Sequence, residues 1–126
     1  MEFVALVTLL LLFQYMTFMM LCGAARAKAD IKAPAMSGDE NFERALRVQL
    51  NTLEQMVITL PAMWVSGMYF SPMVAAVLGL AFFLGRLLYR TAYMKDPSTR
   101  AIGMVIGFLA NVGLILTGLW GIVIQM

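Results

Sequence analysis

The chain has 126 residues, 62% of them hydrophobic and 13% charged, with a net charge of +2 and a mean hydropathy of +0.85. A soluble domain is about half apolar and a quarter charged, so these values exclude an ordinary water-soluble fold and identify a small integral membrane protein, with no nucleic-acid partner expected. Histidine is absent and Cys22 is the only cysteine, which excludes a zinc site, a histidine-based triad and an intrachain disulfide.

Four apolar stretches, Phe3 to Ala25, Leu53 to Phe70, Met73 to Tyr89 and Ile102 to Ile124, each approach the roughly 20 residues needed to cross about 30 Å of hydrocarbon. The first contains Ala25-Arg26-Ala27, which looks like the small-residue site of a cleaved leader. Only Glu2 precedes it in place of a basic cluster, and its core exceeds the roughly 7 to 15 residues of a leader, so it is read as the first spanning helix. Cys22, near its end, is read as a small buried hydrophobe.

The second helix carries the most informative pattern. Glu40, Glu43, Arg44, Arg47, Asn51 and Glu54 fall within about a quarter-turn of one helical face, which runs directly into the apolar stretch. Charge at membrane depth costs about 2.5 to 3.5 kcal/mol on insertion scales, so such a stripe marks a functional site or its counter-charges. Starting from a cap at Ser37 or Asp39 and running to Phe70, this helix is about 45 Å long, and its first turns project beyond the hydrocarbon. Pro61 removes one backbone hydrogen bond and is expected to bend it.

At the end of the third helix, Arg86, Tyr89, Arg90 and Tyr93 share a sector of about 100°, an arrangement of guanidiniums and phenols suited to gripping carboxylates. The plainer alternative is snorkelling arginines and aromatic-belt tyrosines. The turn Lys95-Asp96-Pro97-Ser98-Thr99-Arg100 follows, with Ser98 or Thr99 as the expected cap of helix four and Arg100 placed to lean over an interhelical cavity. In helix four, Gly103 and Gly107 make a GxxxG spacing, Ala110 and Gly113 extend the small surface, and Asn111 can hydrogen-bond a neighbouring helix.

All nine basic residues sit in or beside the two longer connections, whereas the termini and the Ser71-Pro72 turn carry none. The positive-inside rule therefore puts both connections in the cytoplasm. The expected fold is all-α: a single transmembrane domain over residues 1–126, a left-handed four-helix bundle with helices at about 2–27, 39–70, 72–94 and 98–125, and both termini on the non-cytoplasmic side.

The run Phe42-Glu43-Arg44-Ala45-Leu46-Arg47-Val48-Gln49-Leu50-Asn51-Thr52-Leu53-Glu54, followed by Gly85-Arg86-Leu87-Leu88-Tyr89, Tyr93 and Arg100, resembles the MAPEG family, the membrane-associated proteins in eicosanoid and glutathione metabolism. The resemblance extends over essentially the whole chain. It implies a homotrimer with a glutathione site at each subunit interface, opening to the cytoplasm, and a lipophilic second substrate arriving from the bilayer. By that resemblance Arg47, Asn51, Glu54, Tyr89 and Tyr93 hold the tripeptide, Gln49 matches a further contact position, and Arg26 reaches in from the neighbouring subunit. Arg100 matches the arginine beside the glutathione sulfur in catalytic members. Gln55 departs from the eicosanoid-forming members, which carry an aromatic residue there, and the compact connections look more like the bacterial members, hence an inner membrane, or an intracellular membrane if eukaryotic.

The residues are compatible with that chemistry on their own terms. Glutathione has two carboxylates, an ammonium and a thiol, to which Arg26, Arg47, Arg86 and Arg90 offer cations and Glu54 an anion. An unperturbed thiol has a pKa of about 8.5, and a cation beside it, here Arg100, lowers that value. The expected activity is a glutathione transferase or peroxidase, the thiolate attacking a lipophilic electrophile or hydroperoxide. Two alternatives are a non-catalytic lipid-binding scaffold of the same family and a small transporter or channel subunit; for the latter, charges clustered at one membrane face are a poor conducting path.

Overall fold

The computed structural model describes residues 1–126, which form α1 (Glu2–Lys28), α2 (Glu40–Tyr69), α3 (Pro72–Lys95), a 3-10 turn (Pro97–Thr99) and α4 (Ala101–Val123), with no strand. The helix ends have local causes. Asp39 accepts the Phe42 amide at 2.9 Å to start α2, and Ser71 accepts the Val74 amide at 3.2 Å with Pro72 in the first turn of α3. Gly38, at φ 128°, takes a left-handed turn that side chains disfavour, and its amide donates to Glu43 Oε2 at 3.1 Å. α2 stays one helix through Pro61.

Helix four begins later than its sequence implies, and neither Ser98 nor Thr99 caps it. Its N-cap position is Arg100, which makes no side-chain cap bond; Asp96 instead caps the preceding 3-10 turn, accepting the Ser98 amide at 3.0 Å, while the Thr99 hydroxyl donates back to the Asp96 carbonyl at 2.8 Å. The Ser98 backbone bond holds the Asp96 carboxyl below its ordinary value. Arg100 thereby becomes the residue at which α4 starts.

This all-α four-helix bundle belongs in a membrane. α1, α3 and α4 are long and apolar enough to cross one, and well under half of each apolar window is buried within the protein, leaving side chains such as Leu9, Phe13, Met20 and Ile102 facing outward. α2 is less apolar, carrying Glu54, Gln55, Thr59 and Ser66 in its lower half. Thr59 and Ser66 find hydrogen-bond partners on α4, and α2, like α3, packs against each of the other three helices. Val4, Leu11, Met63, Ala75, Phe82 and Leu114 are fully buried in the shared core.

Polar side chains at mid-depth are satisfied by one another across helices. Thr59 donates to Asn111 at 2.6 Å, Ser66 and Thr117 share a bond at 2.7 Å, Trp64 donates to Thr8 at 2.9 Å, and Gln14 donates to the Phe83 carbonyl at 2.9 Å. Helices α1 and α4 thus carry polar groups at mid-depth, where they act as interhelical ties. The glycines of α4 permit the closest approach. A Cβ on Gly103 would lie 2.4 Å from the Tyr89 nitrogen, and one on Gly121 would lie 2.3 Å from the Tyr69 oxygen, so α4 meets α3 and α2 backbone to backbone.

Candidate functional site

Antiparallel packing brings the last turn of α1, the first turns of α2, the end of α3 and the start of α4 to one end of the bundle, and all nine basic residues lie toward it. There an open cleft of about 530 Å³ is bounded by Gly38, Asp39, Glu40, Glu43, Arg44, Arg47 and Tyr93. Part of the α2 stripe is structural. Arg44 pairs with Glu40 one turn earlier and donates to the Met94 and Lys95 carbonyls, both at 3.1 Å, fastening the start of α2 to the end of α3.

The next members of the stripe stay available. Arg47 Nη1 lies 3.9 Å from Glu54 Oε1, and their side chains are 56% and 62% exposed. Opposite charges two turns apart on one helix face, neither desolvated by this chain, attract each other weakly. They remain free to meet a zwitterion.

Below them sits a buried cation. Arg86, only 2% exposed, donates from Nη2 to Asn51 Oδ1 at 2.9 Å and to Thr52 Oγ1 at 2.8 Å, and from Nε to Thr52 Oγ1 at 3.2 Å. Its guanidinium lies 4.1 Å from the centre of the Tyr89 ring, and Tyr89 stacks on Tyr93 with ring centres 5.5 Å apart. A column of guanidinium and two phenols therefore rises from the bundle interior to the cleft wall. No carboxylate pairs with Arg86, so neutral oxygens alone hold its charge. The isosteric change Thr52→Val is expected to destabilise the protein by about 3 kcal/mol, because it strips the oxygen that takes two of those bonds. Thermal unfolding in detergent measures this, and a loss below about 1 kcal/mol would show that water substitutes for the hydroxyl.

The four residues at the end of α3 divide between neighbours. Arg86, Tyr89 and Tyr93 serve the α2 side, but the Arg90 guanidinium lies 5.5 Å from the Phe18 ring on α1, its Nη1 buried without a hydrogen-bond partner. A 100° sector is wide enough to face two helices at a three-helix junction. Arg26 also lies outside the cleft: it stacks 4.5 Å over Phe42 and donates to the Ala35 carbonyl at 2.7 Å, bracing the connection between α1 and α2. Gln49 is half-buried and makes no side-chain hydrogen bond within the chain. Arg100 is exposed at the start of α4, where Nη1 donates to the Pro97 carbonyl at 2.7 Å, and no carboxylate pairs with it.

Thr52 was not legible as a site residue in the sequence. Its signal is a hydroxyl one position after Asn51, on the inward face of a helix whose outward face carries the charges. A second cavity, of about 300 Å³, lies next to this group and is lined by Asn51, Gln55, Arg86, Met104, Val105, Gly107 and Phe108.

Comparison with known proteins places these residues in context. Residues 4–120 match the sequence model of the MAPEG family. The chain is 42% identical over 120 residues to an uncharacterized protein of Synechocystis sp., covering 92% of this chain and 88% of that one. It is 36% identical over 108 residues to microsomal glutathione S-transferase 2 of Homo sapiens, covering 84% and 74% respectively. It is also 34% identical over 77 residues to leukotriene C4 synthase of Mus musculus, covering 61% of this chain and 51% of that one.

Proposed function

This chain belongs to the MAPEG family, and we propose that it is a membrane-embedded glutathione-dependent transferase or peroxidase. It activates the glutathione thiol as a thiolate for attack on a lipophilic electrophile or hydroperoxide supplied by the bilayer. The observation that carries this reading is the convergence, at one end of the bundle, of the open Arg47–Glu54 pair, the Tyr89–Tyr93 stack and the carboxylate-free Arg100. Two relatives, named as a glutathione S-transferase and a leukotriene synthase, support the same class of chemistry.

In this reading Arg47 receives a glutathione carboxylate and Glu54 its ammonium. Asn51, Tyr89 and Tyr93 frame the backbone, with the Arg86 charge behind them. Arg100 is the catalytic cation at the sulfur. Of these residues only Arg47 and Tyr93 line the cleft of the single chain, and Arg100, Gln49, Arg26 and Arg90 lie outside it; they contribute through an assembled homotrimer, in which a neighbouring subunit closes the open side. Support for assembly comes from Arg47 and Glu54, whose half-exposed charges lie on a helix of a membrane bundle and call for a polar partner there. The cleft faces the cytosol, consistent with the basic residues at that end, and a bacterial inner membrane fits the Synechocystis relative.

Calorimetric titration of glutathione into the detergent-solubilised protein is the direct test. Binding at a stoichiometry of one per chain or one per interface is expected, with Arg47→Ala weakening it by about 10-fold or more. Absence of any binding heat removes the proposal. Binding without turnover, over a panel of electrophiles and hydroperoxides, assigns the chain to the non-catalytic lipid-binding scaffolds instead.

A further inference from the structure

The chain has two residues in the left-handed backbone region, Asp30 at φ 55° and Gly38 at φ 128°, and they bracket the connection between α1 and α2. Asp30 turns the chain out of α1, and the Ile31 amide behind it donates back to the Arg26 carbonyl at 3.1 Å. Gly38 turns it into the Asp39 cap of α2. The two ends meet, since Ile31 Cδ1 lies 3.5 Å from where a Cβ on Gly38 would stand. Residues 30–38 therefore make a compact loop with adjoining ends, packed by one of its own side chains.

Its anchorage is slight. Residues 32–38 are exposed, and Ile31 alone is half-buried, packed on the cluster of Cys22, Ala25, Phe42 and Ala45. Apart from the bonds that close α1, the loop is tied to the bundle by Arg26 Nη1, which donates to the Ala35 carbonyl at 2.7 Å, and by Glu43 Oε2, which accepts the Gly38 amide at 3.1 Å. A segment with little buried surface and exposed hydrogen bonds opens at low cost. The Glu43 bond also belongs to the cleft, because Gly38 and Glu43 both line it. Rotation about the Gly38 φ carries its amide away from Glu43, so lifting the loop takes down part of the cleft wall.

We propose that residues 30–38 are a strap at the mouth of the cleft, pivoting at Asp30 and Gly38, which is down while a thiol tripeptide is held and up while one enters or leaves. The identity of the occupant rests on the glutathione reading above. A ligand that touches a wall present only in the closed form binds that form more tightly, and by linkage it shifts the balance toward closure. Arg26 from α1 and Glu43 from α2 are the positioning residues, each holding one backbone group of the strap.

Hydrogen–deuterium exchange on the detergent-solubilised protein reads the strap at both ends, through the Ile31 and Gly38 amides, whose acceptors stand on different helices. Glutathione, with its binding followed by calorimetry in the same sample, is expected to slow both amides by a common factor of about ten. The Gln125 amide, at the opposite end of the bundle, serves as the unchanged reference. Glu43→Ala cuts the tie at Gly38 and leaves the acceptor of Ile31 untouched, and it is expected to raise Ile31 exchange about fivefold without ligand. Bound glutathione that leaves both rates as they were overturns the strap as a lid, and so does an Ile31 rate indifferent to Glu43→Ala. If glutathione gives no binding heat, the glutathione reading falls by itself: a raised Ile31 rate in Glu43→Ala then still supports the strap, and an unraised one overturns it as well.

Discussion

Replacing Arg100 with alanine is expected to abolish the ultraviolet thiolate band that glutathione develops on the wild-type protein at pH 7, and to lower kcat/KM by about 10- to 100-fold. A free thiol with a pKa of about 8.5 is only a few per cent ionised at that pH. A guanidinium within about 4 to 6 Å favours the thiolate by about one to three pKa units, and a shift of about two units makes it the major form. Arg100 suits this role because one of its nitrogens is held by the Pro97 carbonyl at 2.7 Å and no carboxylate in the chain neutralises it.

The sign of the accompanying pH dependence follows directly. The reactive form is the thiolate, which exists above the bound thiol's pKa. If Arg100 lowers that pKa, the wild-type kcat/KM reaches its plateau near pH 7 or below, whereas the variant continues to gain activity up to about pH 8.5. Parallel profiles for the two proteins would place the activating cation elsewhere. Arg86 is then the next cation to test, but it is buried against Thr52 and Asn51, and its removal also disturbs the bundle.

Gly103→Ala is expected to destabilise the protein by about 3 kcal/mol or more. The new Cβ would lie 2.4 Å from the Tyr89 nitrogen and 2.6 Å from the Gly85 oxygen. Both are backbone atoms of a packed helix and cannot swing aside as a side chain would. A Cβ at Gly79 also makes a short contact, 2.4 Å, but with the Met63 sulfur, part of a flexible side chain that can yield more cheaply. The comparison of Gly103→Ala with Gly79→Ala by thermal unfolding in one detergent is therefore the informative one. Because Tyr89 belongs to the stack that forms the cleft wall and Arg100 lies one turn before Gly103, displacing α4 is also expected to weaken glutathione binding in Gly103→Ala and spare it in Gly79→Ala. Equal losses in the two variants would contradict the backbone contact as the cause.

Membrane residence, the number of helices and the gathering of cations at one end could be read from the order of residues alone, because each depends on local quantities. A run of apolar side chains has to be long enough for the hydrocarbon, and a lysine or arginine has to lie near a helix end. The polar stripe from Glu40 to Glu54 was equally plain, since helical period places residues three and four apart on one face. Period alone could not apportion that face. Folding assigns Arg44 to the α3 carbonyls, leaves Arg47 and Glu54 open and sinks Arg86 onto Asn51 and Thr52, since each outcome depends on which helix stands opposite.

The same reason governs the residues that pattern reading placed together and packing separated. Arg86 and Arg90 share a face of α3, yet one meets α2 and the other meets Phe18 of α1, because three helices converge there. Gln55, by composition a departure from an aromatic position, meets Asn111, far along the chain on α4. Hydrogen bonds between distant segments, and the close approach that Gly103 allows, come from the juxtaposition of whole helices, which no local sequence window contains.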